Sequence, residues 1–181
     1  MRLAMLLSLA LVVGCSSSGT VQSAPAPQTV RVGGGGGGAI TMGMSASPTS
    51  SHATTLSAPM ADVWRALPAA YESLNIPLSM IDSTTRLVGN SGFNARRRLG
   101  TIPLVRLIDC GTTQGGPSAE TYDIRLSVTT QLTAGDGGTT VSTTVDAQGK
   151  PVAFAGEYIR CSSTGVLESR IADAVKSRLP R

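Results

Sequence analysis

The sequence predicts an α+β domain: an antiparallel sheet with two amphipathic helices packed on one face, preceded by a disordered linker. Three observations carry this prediction. Tyr122, Ile124, Leu126 and Val128 alternate strictly with Asp123, Arg125, Ser127 and Thr129, the period of a strand with one buried face. Gly135-Asp136-Gly137-Gly138 then supplies turn chemistry, and the β-branched run from Thr139 to Ala147 returns as the second arm of a hairpin. Two stripes at helical spacing complete the set, one through Met60, Val63, Trp64, Leu67, Tyr71 and Leu74, the other through Val166, Leu167, Ile171, Val175 and Leu179. Two such helices need an apolar sheet face to share, and the simplest arrangement places both on the same side.

Taken in order, residues 1–14 read as a leader, 15–51 as a tether and 52–181 as the domain. The tether has a triple serine, Ala-Pro-Ala-Pro and six consecutive glycines, a composition that buries too little apolar surface to offset its ordering entropy. Gly33, Gly35 and Gly38 meet a GxGxxG pattern trivially, without the strand and helix a phosphate site requires. In the domain, Ser57 is expected to cap the first helix and Pro59 to sit in its first turn, with Asp62 facing the positive end of the dipole. Pro68 should bend or divide that helix. Ile76 to Met80 and Arg86 to Val88 read as short strands, with the chain loosening from Gly89 to Gly92. Residues 103–110 fit a short helix stopped by Gly111 or a buried strand. Ser163 is expected to open the last helix, which Pro180 closes.

Composition narrows the function classes. Apolar residues make up 41% and charged residues only 14%, so the chain builds a core but is poor in charge. The formal charge of +4 falls to +3 once Arg2 leaves with the leader, and it is thinly spread. A nucleic-acid binder needs a dense basic face with stacking aromatics, so no nucleic-acid partner is expected.

The leader, MRLAMLLSLALVVGC, has a positive residue, an apolar stretch too short to remain a membrane span, then a small residue and cysteine. Val12-Val13-Gly14-Cys15 resembles the lipobox of bacterial lipoproteins. That resemblance implies cleavage before Cys15 and lipidation of its thiol. It further implies a location in the cell envelope, at the outer membrane facing the periplasm where an organism has two membranes. The alternative is an ordinary signal peptide with a chance cysteine. The order of elements in the domain resembles the helix-grip domains of BamC-type envelope lipoproteins, which implies an accessory role in a membrane assembly.

With Cys15 lipidated, Cys110 and Cys161 remain as a pair in an oxidising compartment and are expected to form a disulfide. A metal site there would need further ligands, and His52 is the one histidine. A nucleophilic cysteine would need a base. Neither a Ser-His-acid arrangement around His52, at the flexible edge of the domain, nor a GxSxG elbow is evident. Asp82 and Asp136 read as turn residues. Asp62, Glu72, Glu168 and Asp173 read as solvated helix faces, while Asp109 and Glu157 would matter only if distant acids converged. No catalytic residue, metal or cofactor is therefore expected.

Arg96-Arg97-Arg98 is the one charged cluster, with Arg86 and Arg106 nearby in sequence. It suits phosphate groups or an acidic partner surface, or else serves as a solvated loop. The leading expectation is a membrane-anchored, non-enzymatic module that binds an envelope protein. The alternative is a module that holds lipid or a small apolar ligand between sheet and helix.

Overall fold

The computed structural model describes residues 51–153 and 156–180; the leader, Cys15 and most of the tether lie outside them. In chain order the elements are β1 (Ser51–Leu56), α1 (Met60–Ser73), β2 (Met80–Asp82), β3 (Leu87–Arg96), β4 (Arg98–Leu99), β5 (Ile102–Pro103) and β6 (Ile108–Asp109). They continue with β7 (Thr112–Thr113), β8 (Gly116–Pro117), β9 (Tyr122–Gly135), β10 (Gly138–Pro151), β11 (Ile159–Ser163) and α2 (Val166–Lys176). Single 3-10 turns at Leu104–Arg106 and Ser118–Glu120 flank the shortest strands. The expected α+β class holds, with a mainly antiparallel sheet and both helices on its apolar face.

The hairpin of β9 and β10 is the base of the sheet. Its arms pair along their whole length, from Gly138 opposite Gly135 to Pro151 opposite Tyr122. The alternation read from the sequence decides which face is buried. Ile124, Leu126, Val128, Val141 and Val145 lie inward at 3% exposure or less. The other strands build outward from this pair in the order β5-β4-β3-β9-β10-β11-β6. β1 pairs with β10 over residues 139–144, and β11 takes the same edge of β10 over residues 147–149. β2 lies against β3.

Because β5 and β6 lie at opposite ends of this order, the chain between them passes from one side of the sheet to the other. Leu104, Leu107 and Ile108 on that passage are fully buried. Residues 103–110 are thus neither the helix nor the single buried strand that their composition suggested, since packing divides them into two-residue strands around a tight turn. Next to the β6–β11 pairing, Cys110 and Cys161 are bonded, as expected, with their Cα atoms 4.3 Å apart.

Val63, Leu67 and Tyr71 of α1 and Leu167, Ile171 and Val175 of α2 are all fully buried against the sheet and one another. Each such side chain contributes about 1.5–3 kcal/mol. Within that core Tyr71 Oη lies 2.8 Å from Thr130 Oγ1, which lies 2.8 Å from Thr143 Oγ1. This hydroxyl chain explains how two threonines occupy inward positions of the hairpin, since a buried hydroxyl needs a partner. The buried core residues run from Leu56 to Val175.

Several local expectations differ from the structure. α1 runs through Pro68 as one element. Its N-cap is Pro59, whose carbonyl accepts from Asp62 and Val63 N–H, and Ser57 makes no side-chain cap. β3 continues through Gly89–Gly92 where loosening was expected, by means of a bulge between Asn90 and Phe93. A Cβ at Gly89 would stand 2.2 Å from the Val128 carbonyl oxygen, so the glycine permits close strand approach here. Ser163 ends β11, and Gly165, at φ +82°, is the N-cap of α2.

Two consequences are measurable. The Cys110–Cys161 bond spans a sequence separation of 51, and a loop of that size constrains the unfolded chain by about 4 kcal/mol on the entropic model. Replacing both cysteines with alanine should lower unfolding stability in denaturant by about that amount. Separately, burial pushes the Tyr71 phenol from 10.0 up to about 12, opposed in part by the Thr130 hydrogen bond. The folded state therefore holds this proton more tightly than the unfolded chain. Its contribution is complete below pH 10 and is lost as pH rises toward about 12. At about 1.4 kcal/mol per pKa unit, the loss is about 3 kcal/mol. Stability curves measured against pH should be flatter across this window in Tyr71→Phe than in the native protein.

Candidate functional site

The helices cover one face of the sheet, and the opposite face carries the odd-numbered residues of β9 and the even-numbered residues of β10. Register brings together cations that are far apart in sequence. Arg96 lies opposite Arg98 on one side and Asp123 on the other, and Asp123 lies opposite Lys150. In the adjoining row Asn94 is opposite Arg125, Arg125 opposite Gln148, and Gln148 opposite Arg160. Residues paired across antiparallel strands project to the same side. Five cations from five strands thus gather at one end of the open face, all of them exposed.

Two carboxylates temper this charge. Asp123 Oδ1 lies 3.5 Å from Arg96 Nε, with both side chains more than half exposed. Such a pair is worth little stability and leaves the guanidinium accessible. Asp146 borders a groove of about 200 Å³ together with Ser91, Arg125, Leu126, Ser127 and Gln148. The Arg125 guanidinium runs over Gly92, where a Cβ would lie 3.1 Å from Nε. The bulge in β3 therefore makes room for this arginine to lie along the sheet.

The triple arginine is a turn as well as a cluster. Arg97 occupies the tip at φ +60°, and its carbonyl accepts from Leu104 N–H. Arg98 donates through Nη2 to the Thr101 carbonyl at 2.8 Å. Arg96 and Arg98 share the open face with Arg125, Lys150 and Arg160, whereas the sequence neighbours first grouped with them go elsewhere. Arg86 lies over the Trp64 ring at 5.8 Å, and Arg106 ends the 3-10 turn after β5.

The remaining candidates separate. His52 belongs to β1, paired with Thr143, where a flexible domain edge was expected. It lines an open groove of about 840 Å³ that also includes Ser169, Arg170, Asp173 and Arg178 of α2 and the tail beyond it. The Ser169 hydroxyl there donates to the Gly165 carbonyl at 2.9 Å. Asp82 behaves as the turn residue it resembled. It accepts from Thr84 N–H and from Thr85 N–H and Oγ1, and the Thr85 hydroxyl chiefly holds its carboxyl below the ordinary range. Asp109 likewise accepts from Gly111 N–H at 2.8 Å.

Glu168 corrects an expectation. Read as solvated, it is 1% exposed at the start of α2. The Ser163 hydroxyl donates to its Oε1 at 2.6 Å, and the same oxygen of Ser163 accepts from Gly165 N–H. The carboxylate occupies the third position of the helix, where the positive end of the dipole favours it. Ser163-x-x-x-x-Glu168 is two residues longer than the usual Ser-x-x-Glu capping pair, which hid it in the sequence.

Among the described residues no three His, Cys, Asp or Glu side chains gather to hold a metal ion, and no helix is long and apolar enough to cross a membrane. No known family model and no curated protein matches the chain.

If the open-face cations act together, position should matter more than number. Arg96→Gln with Arg125→Gln should leave a cation exchanger at clearly lower salt than Arg86→Gln with Arg106→Gln, although both pairs remove two charges. Equal elution would show that the five cations do not form one surface.

Proposed function

We propose that this chain is a lipid-anchored envelope lipoprotein whose domain is a non-enzymatic docking module for another envelope protein. The observation that carries the reading is the convergence of Arg96, Arg98, Arg125, Lys150 and Arg160 on the uncovered face of the sheet. In a chain with only 14% charged residues, that concentration is a local field. It suits an acidic protein surface, for which arginine offers paired, planar donors. The leader ending in Gly14-Cys15 supports the anchor, and the glycine-rich tether would let the domain search the membrane surface.

The rival reading, an apolar ligand held between sheet and helices, needs space there. Leu67, Tyr71, Leu167 and Ile171 occupy that layer, fully buried. The grooves around His52 and Ser91 are lined mainly by residues at the surface instead. This arrangement favours docking over enclosure. The element order that resembles BamC-type lipoproteins adds support at the level of fold, which by itself does not assign function.

The test is an affinity purification of the full-length protein from mildly solubilised membranes, beside the variant carrying Arg96→Ala, Arg98→Ala and Arg125→Ala. An acidic envelope protein held by the native chain should bind the variant at least about tenfold more weakly, equivalent to 1.4 kcal/mol. Intact-mass measurement of the same preparation checks for acyl chains on Cys15. A partner held equally by both forms would remove the open face from the account.

A further inference from the structure

We infer that the outer edge of β1 and the adjoining side of α2 take an extended peptide segment of a partner protein as an added strand. The groove sets the chemistry of that segment: aliphatic side chains at alternate positions, followed by an acidic one. Among the described residues β1 pairs with β10 alone, so the hydrogen-bonding groups along its other edge face no described strand. Ser51–Leu56 also lacks the usual protections of an edge, having no proline, no lysine and no bulge.

Register fixes which side chains an added strand would meet. His52, Thr54 and Leu56 are paired with Thr143, Val141 and Thr139, all buried on the helix side, so these three point to that side of the sheet. Exposure rises along the row: Leu56 is buried, Thr54 half-buried and His52 exposed. α2 follows β1 but leaves two grooves against it. One, of about 390 Å³, lies between residues 54–58 and the end of α2, with Leu56, Ala58, Ala172, Leu179 and Pro180 as its apolar lining. The other is the groove at His52, and Asp173 borders both. Same-side residues of a strand stand about 7 Å apart, so successive ones would enter first one groove and then the other.

Charge decides the order of the peptide. In the groove at His52, Arg170 and Arg178 stand against one carboxylate, Asp173, beside the start of α2 at Gly165. Arg178 Nη1 donates to the Ala174 carbonyl at 2.7 Å, and neither arginine meets a carboxylate among the described residues. This end therefore favours an acid, and the end at Leu56 and Leu179 favours aliphatic groups. Every strand pairing in the sheet is antiparallel, and a peptide added the same way runs from Leu56 toward His52. Its aliphatic residues then precede its acid. In this mode main-chain hydrogen bonds supply affinity and alternate side chains supply selectivity. The site lies at the sheet edge on the helix side, so the inference goes beyond the docking reading and does not rest on it.

The probe is a fluorescent peptide containing Ile-Thr-Val-Thr-Asp, whose isoleucine, valine and aspartate stand opposite Leu56, Thr54 and His52 in that pairing. Its binding to the full chain is read by fluorescence anisotropy. The expected result is saturable binding that weakens at least about tenfold when lysine replaces the aspartate, and again when alternate peptide amides are N-methylated. Arg170→Glu with Arg178→Glu, both at exposed positions, should reverse the preference, so that the lysine peptide binds more tightly than the aspartate one. A reversal cannot come from unfolding, and near-ultraviolet circular dichroism checks that the variant is folded. No saturable binding by the folded chain, indifference to N-methylation, or an unchanged preference in the folded charge-reversed variant would each overturn the inference. A chain that self-associates in light scattering and excludes the peptide would overturn it in favour of a second copy on this edge. The variant with Arg96→Ala, Arg98→Ala and Arg125→Ala should hold the probe at native affinity, and loss there would overturn the edge assignment. The docking reading is judged by its own partner, so either can fail while the other stands.

Discussion

The pairing of β9 with β10 is the constraint on which the rest of the molecule depends. Fourteen residues pair on each arm and alternate in burial over nearly all of that length, and a slip of one residue would drive Asp123 and Arg125 into the core. Every other major element attaches to this ribbon: β3 along one edge, β1 and β11 along the other, and both helices across its apolar face. The turn that sets the register is equally restricted. Gly137 adopts φ +82°, and a Cβ at Gly138 would stand 2.0 Å from the Leu56 carbonyl oxygen. The junction between β1 and α1 therefore rests directly on the hairpin turn.

The elements legible in the sequence are those whose own periodicity decides their state. The hairpin and both helical stripes read correctly because each buries one face over many residues. The disulfide was legible because reading Val12–Cys15 as a lipobox left two cysteines to pair with each other. β1 and β11 were not, since Ser51–Leu56 buries a single residue and Ile159–Ser163 another, and both become strands through the edge of β10. Gly89 read as a breaker because its reason for being glycine, the neighbouring carbonyl of Val128, belongs to another strand. Residues 103–110 stayed ambiguous because their apolar residues face a core assembled by the whole chain.

The same distinction applies to the candidate site. Arg96 to Arg98 drew notice as neighbours in sequence, whereas Arg125, Lys150 and Arg160 join them only through strand order. Arg125 was already on the outward side of a predicted strand, but which strands lie beside it is a tertiary fact. Glu168 illustrates the opposite case. Its position on a helix read as solvated, yet the end of β11 folds over it and Ser163 supplies a partner. A charge-poor chain has thus gathered five cations on one exposed surface and placed one carboxylate at a buried helix start.

The contact between Trp64 and Arg86 has an optical consequence. Trp64 is the sole tryptophan of the chain, and it lies on α1, partly buried against the core on the helix side of the sheet. A guanidinium 5.8 Å from its ring belongs to the turn between β2 and β3. Its emission therefore reports one event, the seating of α1 against that turn. The cations at issue lie across the sheet, so a ligand settling there would leave the indole signal nearly unchanged. Loss of the helix would alter it at once, which gives this protein a built-in means of telling binding from unfolding.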